Sequence, residues 1–287
     1  MSDLTIHSFD LTDQKLVKQF IDFPWSIYKN DPVWVPPLRM AVKDLLNPQH
    51  PFYATAEVKL YLAKRAHTVV GRVMAVVNHA FNKFQQTSEG HFGFFEAIND
   101  QAVTNQLLDT AAVFLKQKGM TTMLGPVNPS TNYECGVLIK TPQDPPQIMM
   151  TYNPVYYSTL LENYGLSKAK DLLAFRMSMA TPMPENIRLV VEKVEKSEKI
   201  SYRPLNRKDW AGEVERMMKM YNSAWEKNWG FVPMSEAEFR HTAKDLKNVV
   251  NEKLVLFVEV DHQPAGFIVV LPDFNQVLKY LPDGKLF

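Results

Sequence analysis

The sequence predicts an α/β protein with a mixed sheet, organised as one complete unit followed by an incomplete copy of the same unit. Three observations lead there. Lys59–Val76 (KLYLAKRAHTVVGRVMAV) slides without a gap onto Leu254–Leu271 (LVLFVEVDHQPAGFIVVL), 195 residues later, with His67 on His262 and Gly71 on Gly266. Two identities alone would be weak evidence, but upstream Trp25, Lys29-Asn30 and Val35-Pro36 return in the same order as Trp225, Lys227-Asn228 and Val232-Pro233. An internal period of this kind is settled before any fold assignment. Third, a hairpin pattern precedes a strand, a long helix and another strand, and parallel strand pairs need such a helical crossover.

Taken in order, Leu4–Phe9 alternates as a first strand, and Thr12 or Asp13 caps a helix with Leu16, Val17, Phe20 and Ile21 on one face. Phe23–Tyr53 is dense in proline and aromatics (FPWSIYKNDPVWVPPL), which breaks regular helix and predicts an irregular arm with one or two short helices. Glu57–Ala66 and Thr68–Val77 form a hairpin turning near His67, and His91–Ile98 is the next strand. Asp100–Lys118 keeps helical spacing through Val103, Leu107, Leu108, Ala111, Ala112 and Leu115, and Gly119 ends it. Thr121–Leu124 is a strand, Gly125–Gly136 a loop, Val155–Tyr164 a short helix closed by Gly165, and Leu172–Met179 a final strand. The first unit thus spans residues 1–180. A charged connector, 181–199, follows, with a helix expected over Glu185–Glu195. The second unit, 200–287, restarts with a strand at Ile200, helices over Val214–Trp225 and Ser235–Leu246, and a hairpin at Leu254–Leu271; it is expected to be truncated, since Phe287 stands opposite Phe92.

Composition narrows function by exclusion. A formal charge of +1 gives no general field for nucleic acid, so no nucleic-acid partner is expected. No stretch approaches the ~18 apolar residues of a membrane span, and the N-terminus MSDLTIHSFDL has no signal-like apolar run. The single cysteine, Cys135, makes no internal disulfide, and the expected location is cytoplasmic. His7, His50, His67, His79, His91, His241 and His262 never fall at close ligand spacing, so no metal is expected. GxxxxGK[ST] and GxGxxG strings are absent, leaving nucleotide hydrolysis and dinucleotide redox chemistry without support.

The hairpin around Val70-Gly71-Arg72, the run GFFEAINDQ (Gly93–Gln101), the loop GPVNPSTNYECG (Gly125–Gly136) and the string MMTYNPVYYSTLLENYGLSKAKDLLAF (Met149–Phe175) resemble the acyl-CoA N-acyltransferase (GNAT) superfamily, and more closely a bacterial group of double-GNAT proteins. The resemblance covers most of 1–180 and the first half of a second unit. It implies acetyl-CoA or a longer acyl-CoA as co-substrate and a small-molecule amine as acceptor. It also implies a fourth strand splayed from the fifth, and an Arg/Gln-x-x-Gly-x-Gly/Ala turn whose amides hold the CoA pyrophosphate at a helix start. The corresponding turn here, Ala97-Ile98-Asn99-Asp100-Gln101-Ala102, lacks both glycines and the basic residue. The first unit is therefore not expected to bind CoA in the usual way, and the cofactor-binding residues stay unassigned. In the double-GNAT group the second unit usually carries that turn, and this sequence stops before it. Phe267–Leu271 would then be an open apolar edge, which the missing sequence or a homodimer would cover.

Amine acylation needs a neutral amine, donors near the thioester carbonyl and an acid for the leaving thiolate. Glu134 is the candidate for taking the amine proton, and Tyr152, Tyr156 or Tyr157 for protonating sulfur. The tyrosine that the resemblance places four residues before the closing glycine is Leu161 here. Asn132, Tyr133 and Asn153 are candidate substrate contacts, with Trp25, Trp229 and Phe231 as walls of an apolar pocket. Each has a plainer reading: turn chemistry for the asparagines, a solvated carboxylate for Glu134, core packing for the aromatics. Cys135 reads more readily as an unreactive thiol than as a nucleophile. The leading expectation is an acyl-CoA-dependent N-acyltransferase. The alternatives are a non-catalytic GNAT-like binding module and a tRNA-dependent aminoacyl transferase of the tandem type.

Overall fold

The computed structural model describes residues 4–140, 144–178, 180–247 and 249–286. The chain forms two compact units. One comprises Met1–Ala169, Trp229–Pro233 and Asp273–Phe287; the other comprises Lys170–Asn228 and Met234–Pro272. Among the described residues no helix is long and apolar enough to cross a membrane.

In the first unit, strands β1 (Leu4–Phe9), β2 (Ala56–Arg65), β3 (Thr68–Asn78), β4 (Glu89–Ala97) and β5 (Thr122–Leu124) lie side by side in that order. The helices are α1 (Gln14–Asp22), α2 (Pro24–Ile27), α3 (Arg39–Leu45), α4 (His79–Gln85), α5 (Gln101–Gln117) and α6 (Tyr156–Tyr164), and a two-residue ribbon pairs β6 (Val127–Asn128) with β7 (Glu134–Cys135). All sheet neighbours are antiparallel except β4 and β5, which α5 joins as a parallel pair. Side chains alternate across β2 and β3 and sort onto two faces. Tyr61, Ala63, Val73, Ala75 and Val77 meet Val103, Leu107, Leu108 and Ala111 of α5 and Leu160 and Leu161 of α6. Leu60, Leu62, Met74 and Val76 meet Val17, Phe20 and Ile21 of α1 on the other side. Full burial of each large apolar side chain contributes about 1.5–3 kcal/mol. The helix starts are fixed by carboxylates: Asp13 accepts from the Leu16 amide at 3.0 Å, and Asp100 from the Ala102 amide at 2.9 Å.

In the second unit, α7 (Glu185–Glu195) precedes β8 (Ile200–Pro204), α8 (Trp210–Trp225), α9 (Glu236–Leu246), β9 (Val255–Val260) and β10 (Gln263–Val269). The sheet order is β10-β9-β8, all antiparallel, so β10 is an edge strand with Ile268 and Val269 exposed. Val214 and Met217 of α8 and Ala243 of α9 cover Val255 and Phe257. The strand expected over Leu172–Met179 does not form: 172–178 are irregular, and Met179 lies outside the described residues. Leu173, Phe175 and Met177 are exposed, and among the described residues no strand pairs with 172–178. A strand exists only where its backbone groups find partners, which an apolar sequence cannot supply by itself.

The internal repeat survives to the level of single cross-strand residue pairs. In β2–β3, Arg65 faces Thr68, Lys64 faces Val69 and Ala63 faces Gly71, leaving Val70 as an extra residue. In β9–β10, Val260 faces Gln263, Glu259 faces Pro264 and Val258 faces Gly266, leaving Ala265 extra. Each pair is displaced by the same 195 positions (260 minus 65), so both hairpins carry one bulge at one place.

A second bulge, in β4, decides the site. Met74 faces Gly93 but Arg72 faces Glu96, so Phe94 and Phe95 both stand against Val73, with Phe94 at φ +50°. Without the extra residue Phe95 would oppose Arg72; with it, the carboxylate does. Beside the bulge a Cβ on Gly93 would sit 1.7 Å from the Val127 carbonyl oxygen. Gly93→Ala should therefore push β6 off β4 and destabilise by at least the upper end of the ~1–3 kcal/mol typical of overpacking. Gly266→Ala, with no atom within 4 Å of its Cβ, should be nearly neutral. Denaturant midpoints of the two variants check this, and equal midpoints would contradict the packing.

Candidate active site

The site is built around Glu96, at the end of β4. Its neighbour across the sheet, Arg72, is 8% exposed and Glu96 is 13% exposed, with 3.6 Å between Arg72 Nη2 and Glu96 Oε1. Arg72 Nη1 donates to the Phe20 carbonyl at 2.6 Å, and its guanidinium lies 4.8 Å from the centre of the Phe20 ring. The hydroxyls of Tyr28, from the arm, and Tyr157, on α6, donate to Glu96 Oε2 at 3.0 and 2.5 Å. Burial raises the Glu96 pKa, while Arg72 and the tyrosine hydroxyls act in the other direction. Burial likewise lowers that of Arg72, with Glu96 opposing, and raises those of Tyr28 and Tyr157, where Glu96 adds to the effect.

Glu134 stands in front of this network. It pairs with Asn128 in the β6–β7 ribbon, and Asn128 Oδ1 accepts from the Phe94 amide at 2.6 Å, which docks the ribbon onto the bulge. The Glu134 side chain reaches solvent, yet the protein around it strips enough hydration to raise its pKa, and the Glu96 charge raises it further. Desolvation, followed by the Glu134 charge, raises the Cys135 thiol, which keeps it protonated and unlike an activated nucleophile.

The proline-rich arm closes one side. Tyr28 stacks on Trp34 with 4.7 Å between ring centres, Trp25 meets Trp34 edge-on at 5.4 Å, and Tyr152 lies 5.9 Å from Tyr28. Tyr152 donates to Asp31 Oδ2 at 2.6 Å, while Asp31 Oδ1 caps the Val33 and Trp34 amides. Trp25 Nε1 donates to the Pro282 carbonyl, and the Arg39 guanidinium covers its ring at 3.6 Å.

Of the residues singled out in the sequence, Glu134, Tyr156 and Tyr157 converge on Glu96, whose charge acts on all three. Tyr156 donates to the Ala97 carbonyl at 2.9 Å, and burial with Glu96 raises its pKa to about 12. Tyr152 joins the arm instead. Asn132 donates to the Val232 carbonyl at 3.0 Å, and Tyr133 meets His50 and Phe52 edge-on. Phe231 is buried against Phe84, and Trp229 is half exposed. The Asn153 amide holds Leu138 through both its N–H and its C=O. Leu161 sits in the apolar core. Sequence reasoning passed over Arg72 and Glu96. The available signal was a lone ion in each of two apolar strands, VVGRVMAVV and GFFEA, because buried ions are rarely unpaired.

The helix start that a CoA pyrophosphate would need is already used. Asp100 takes the Ala102 and Val103 amides of α5 and pairs with Arg65 at 2.6 Å. Desolvation opposes the shift, but these bonds hold its carboxyl below the usual range. A second anion there would meet a carboxylate in place of free donors, so the turn of the first unit does not fit CoA.

Two units built on the same bulged hairpin, one of them with a parallel crossover, define a tandem GNAT architecture. A tandem GNAT protein from the clavulanic acid biosynthesis pathway superposes over 92% of this chain and 73% of its own, with a TM-score of 0.51 and 11% identity. No family model matches the sequence. The chain is 37% identical to the bacterial ceramide synthase of Caulobacter vibrioides (strain NA1000 / CB15N) over 272 residues, 94% of this chain and 70% of that protein. It is 34% identical to Protein YghO of Escherichia coli (strain K12) over 272 residues, 94% of this chain and 69% of that one. The chain belongs to the family of these two proteins.

Proposed function

We propose that the protein is an acyl-CoA-dependent N-acyltransferase whose acceptor is the amine of a long-chain amino alcohol. The observation that carries this is the Glu134 carboxylate, open to solvent and within the field of the Glu96 charge. A primary amine is an ammonium at neutral pH and attacks only after losing a proton. Glu134, whose pKa is raised by desolvation and then by the Glu96 charge, matches that task better than an ordinary surface glutamate. The proton would pass from the acceptor ammonium to Glu134, freeing the nitrogen lone pair to form the C–N bond at the thioester carbonyl; the C–S bond would then break, and CoA would leave as the thiol after its sulfur takes the second proton from the nitrogen. The name of the Caulobacter relative supports the acceptor class, since a ceramide is the N-acyl derivative of a long-chain amino alcohol.

The test is direct. Purified protein is incubated with sphinganine and either acetyl-CoA or palmitoyl-CoA, and the N-acyl product is sought by mass spectrometry. Product with one of the donors is the expected result. Saturable sphinganine binding with no product from either donor would favour the binding-module reading, which the occupied Asp100 turn also supports.

A further inference from the structure

We propose that the first unit has closed its own acyl-donor slot and serves only as the acceptor half of the enzyme; this rests on the N-acyltransferase reading above. An extended amide ligand binds beside a strand by using that strand's free N–H and C=O groups. Along β4 the Phe94 N–H and both polar groups of Ala97 are already used, and the chain after β5 lies against the strand. The parallel pairing with β5 covers only Glu89–His91. After Leu124 the chain does not part from β4 but stays on it. A Cβ on Gly125 would lie 2.3 Å from the Phe92 carbonyl oxygen, and Gly93 abuts the Val127 carbonyl. The Phe94 amide, freed by the bulge, goes to Asn128 Oδ1.

Beyond the bulge two tyrosines of α6 complete the closure. Tyr157 accepts from the Ala97 amide at 3.0 Å while donating to Glu96, and Tyr156 donates to the Ala97 carbonyl. The pair of hydroxyls supplies one acceptor and one donor, the same complement that an incoming amide would offer. The Ile98 amide is held by the Val70 carbonyl. At the next turn Asp100, paired with Arg65, occupies the α5 start. The bulge, the end of β4 and the helix start are thus satisfied from within, by separate parts of the chain. Occupying the slot would require breaking at least the Asn128, Tyr156 and Tyr157 bonds and expelling a paired carboxylate.

Hydrogen exchange of the whole chain, with and without CoA, tests this, together with the CoA affinity of Asp100→Asn. The expected result is no CoA-dependent protection over 93–104, whether or not CoA binds elsewhere, and an Asp100→Asn affinity within twofold of the parent. CoA-dependent protection over 93–104, or a tenfold gain in affinity on removing the Asp100 charge, would overturn the closed slot. The two ideas fail separately. Protection at 93–104 alongside amide formation sinks only the closed slot, whereas absence of amide product with 93–104 unaffected sinks only the reading of function.

Discussion

Replacing Glu134 by glutamine is expected to slow amide formation about 10²–10⁴-fold, the usual range for losing a positioned general base. The side chain is exposed, so stability should change by no more than ~0.5 kcal/mol, and the loss should fall on kcat. The pH profile carries the sharper test. Below the raised Glu134 pKa the carboxyl is protonated and cannot take the ammonium proton, so the rate should fall on the acid side. Glu96→Gln removes the neighbouring charge that helps to raise Glu134. Glu134 then titrates lower, and the acid limb of kcat/KM should move to lower pH. A Glu134→Gln enzyme with unchanged kcat and an unchanged acid limb would remove Glu134 from the chemistry altogether.

Arg72→Met should be the most damaging change to stability, at about 3–5 kcal/mol, because it leaves the Glu96 charge buried without its partner. It also removes the bond to the Phe20 carbonyl and the contact over the Phe20 ring that tie β3 to α1. The sign of the pH dependence follows from Glu96, whose pKa in the fold already lies above its ordinary value. Without Arg72 it rises further. Stability of the variant is then best preserved below the unfolded carboxylate pKa, where Glu96 is protonated in both states, and is lost as pH rises through the folded value. Urea unfolding at acid and at mildly alkaline pH should show a small deficit in the first and the full deficit in the second. Equal deficits would mean that lost packing, and not the stranded charge, is what matters.

Much of the fold was legible because its causes are local. The β2–β3 hairpin, the long helix capped at Asp100, the short helix closed at Gly165 and the return of the hairpin at Leu254–Leu271 follow from side-chain period, capping residues and turns. These act over a few residues and leave their mark in the string. Leu172–Ser178 shows the limit of that logic, since its strand-like composition met no partner edge among the described residues and stayed irregular. Glu134 was legible as a carboxylate in a long loop, and Tyr156 and Tyr157 as hydroxyls at a helix start.

What each of those groups touches depended on tertiary structure. The sequence by itself determined an α/β unit, its repetition and an Asp100 turn unsuited to phosphate. Only the tertiary structure brought Tyr28, Arg72, Glu96, Glu134 and Tyr157 together, from an arm, two strands, a ribbon and a helix far apart in the chain. One extra residue in β4 turned Glu96 toward Arg72, and the docking of α6 gave the Tyr156 and Tyr157 hydroxyls to Ala97. The physical reason is that register and docking are set by how whole faces pack, and that information is spread over all the contacting elements instead of residing in any one stretch of sequence.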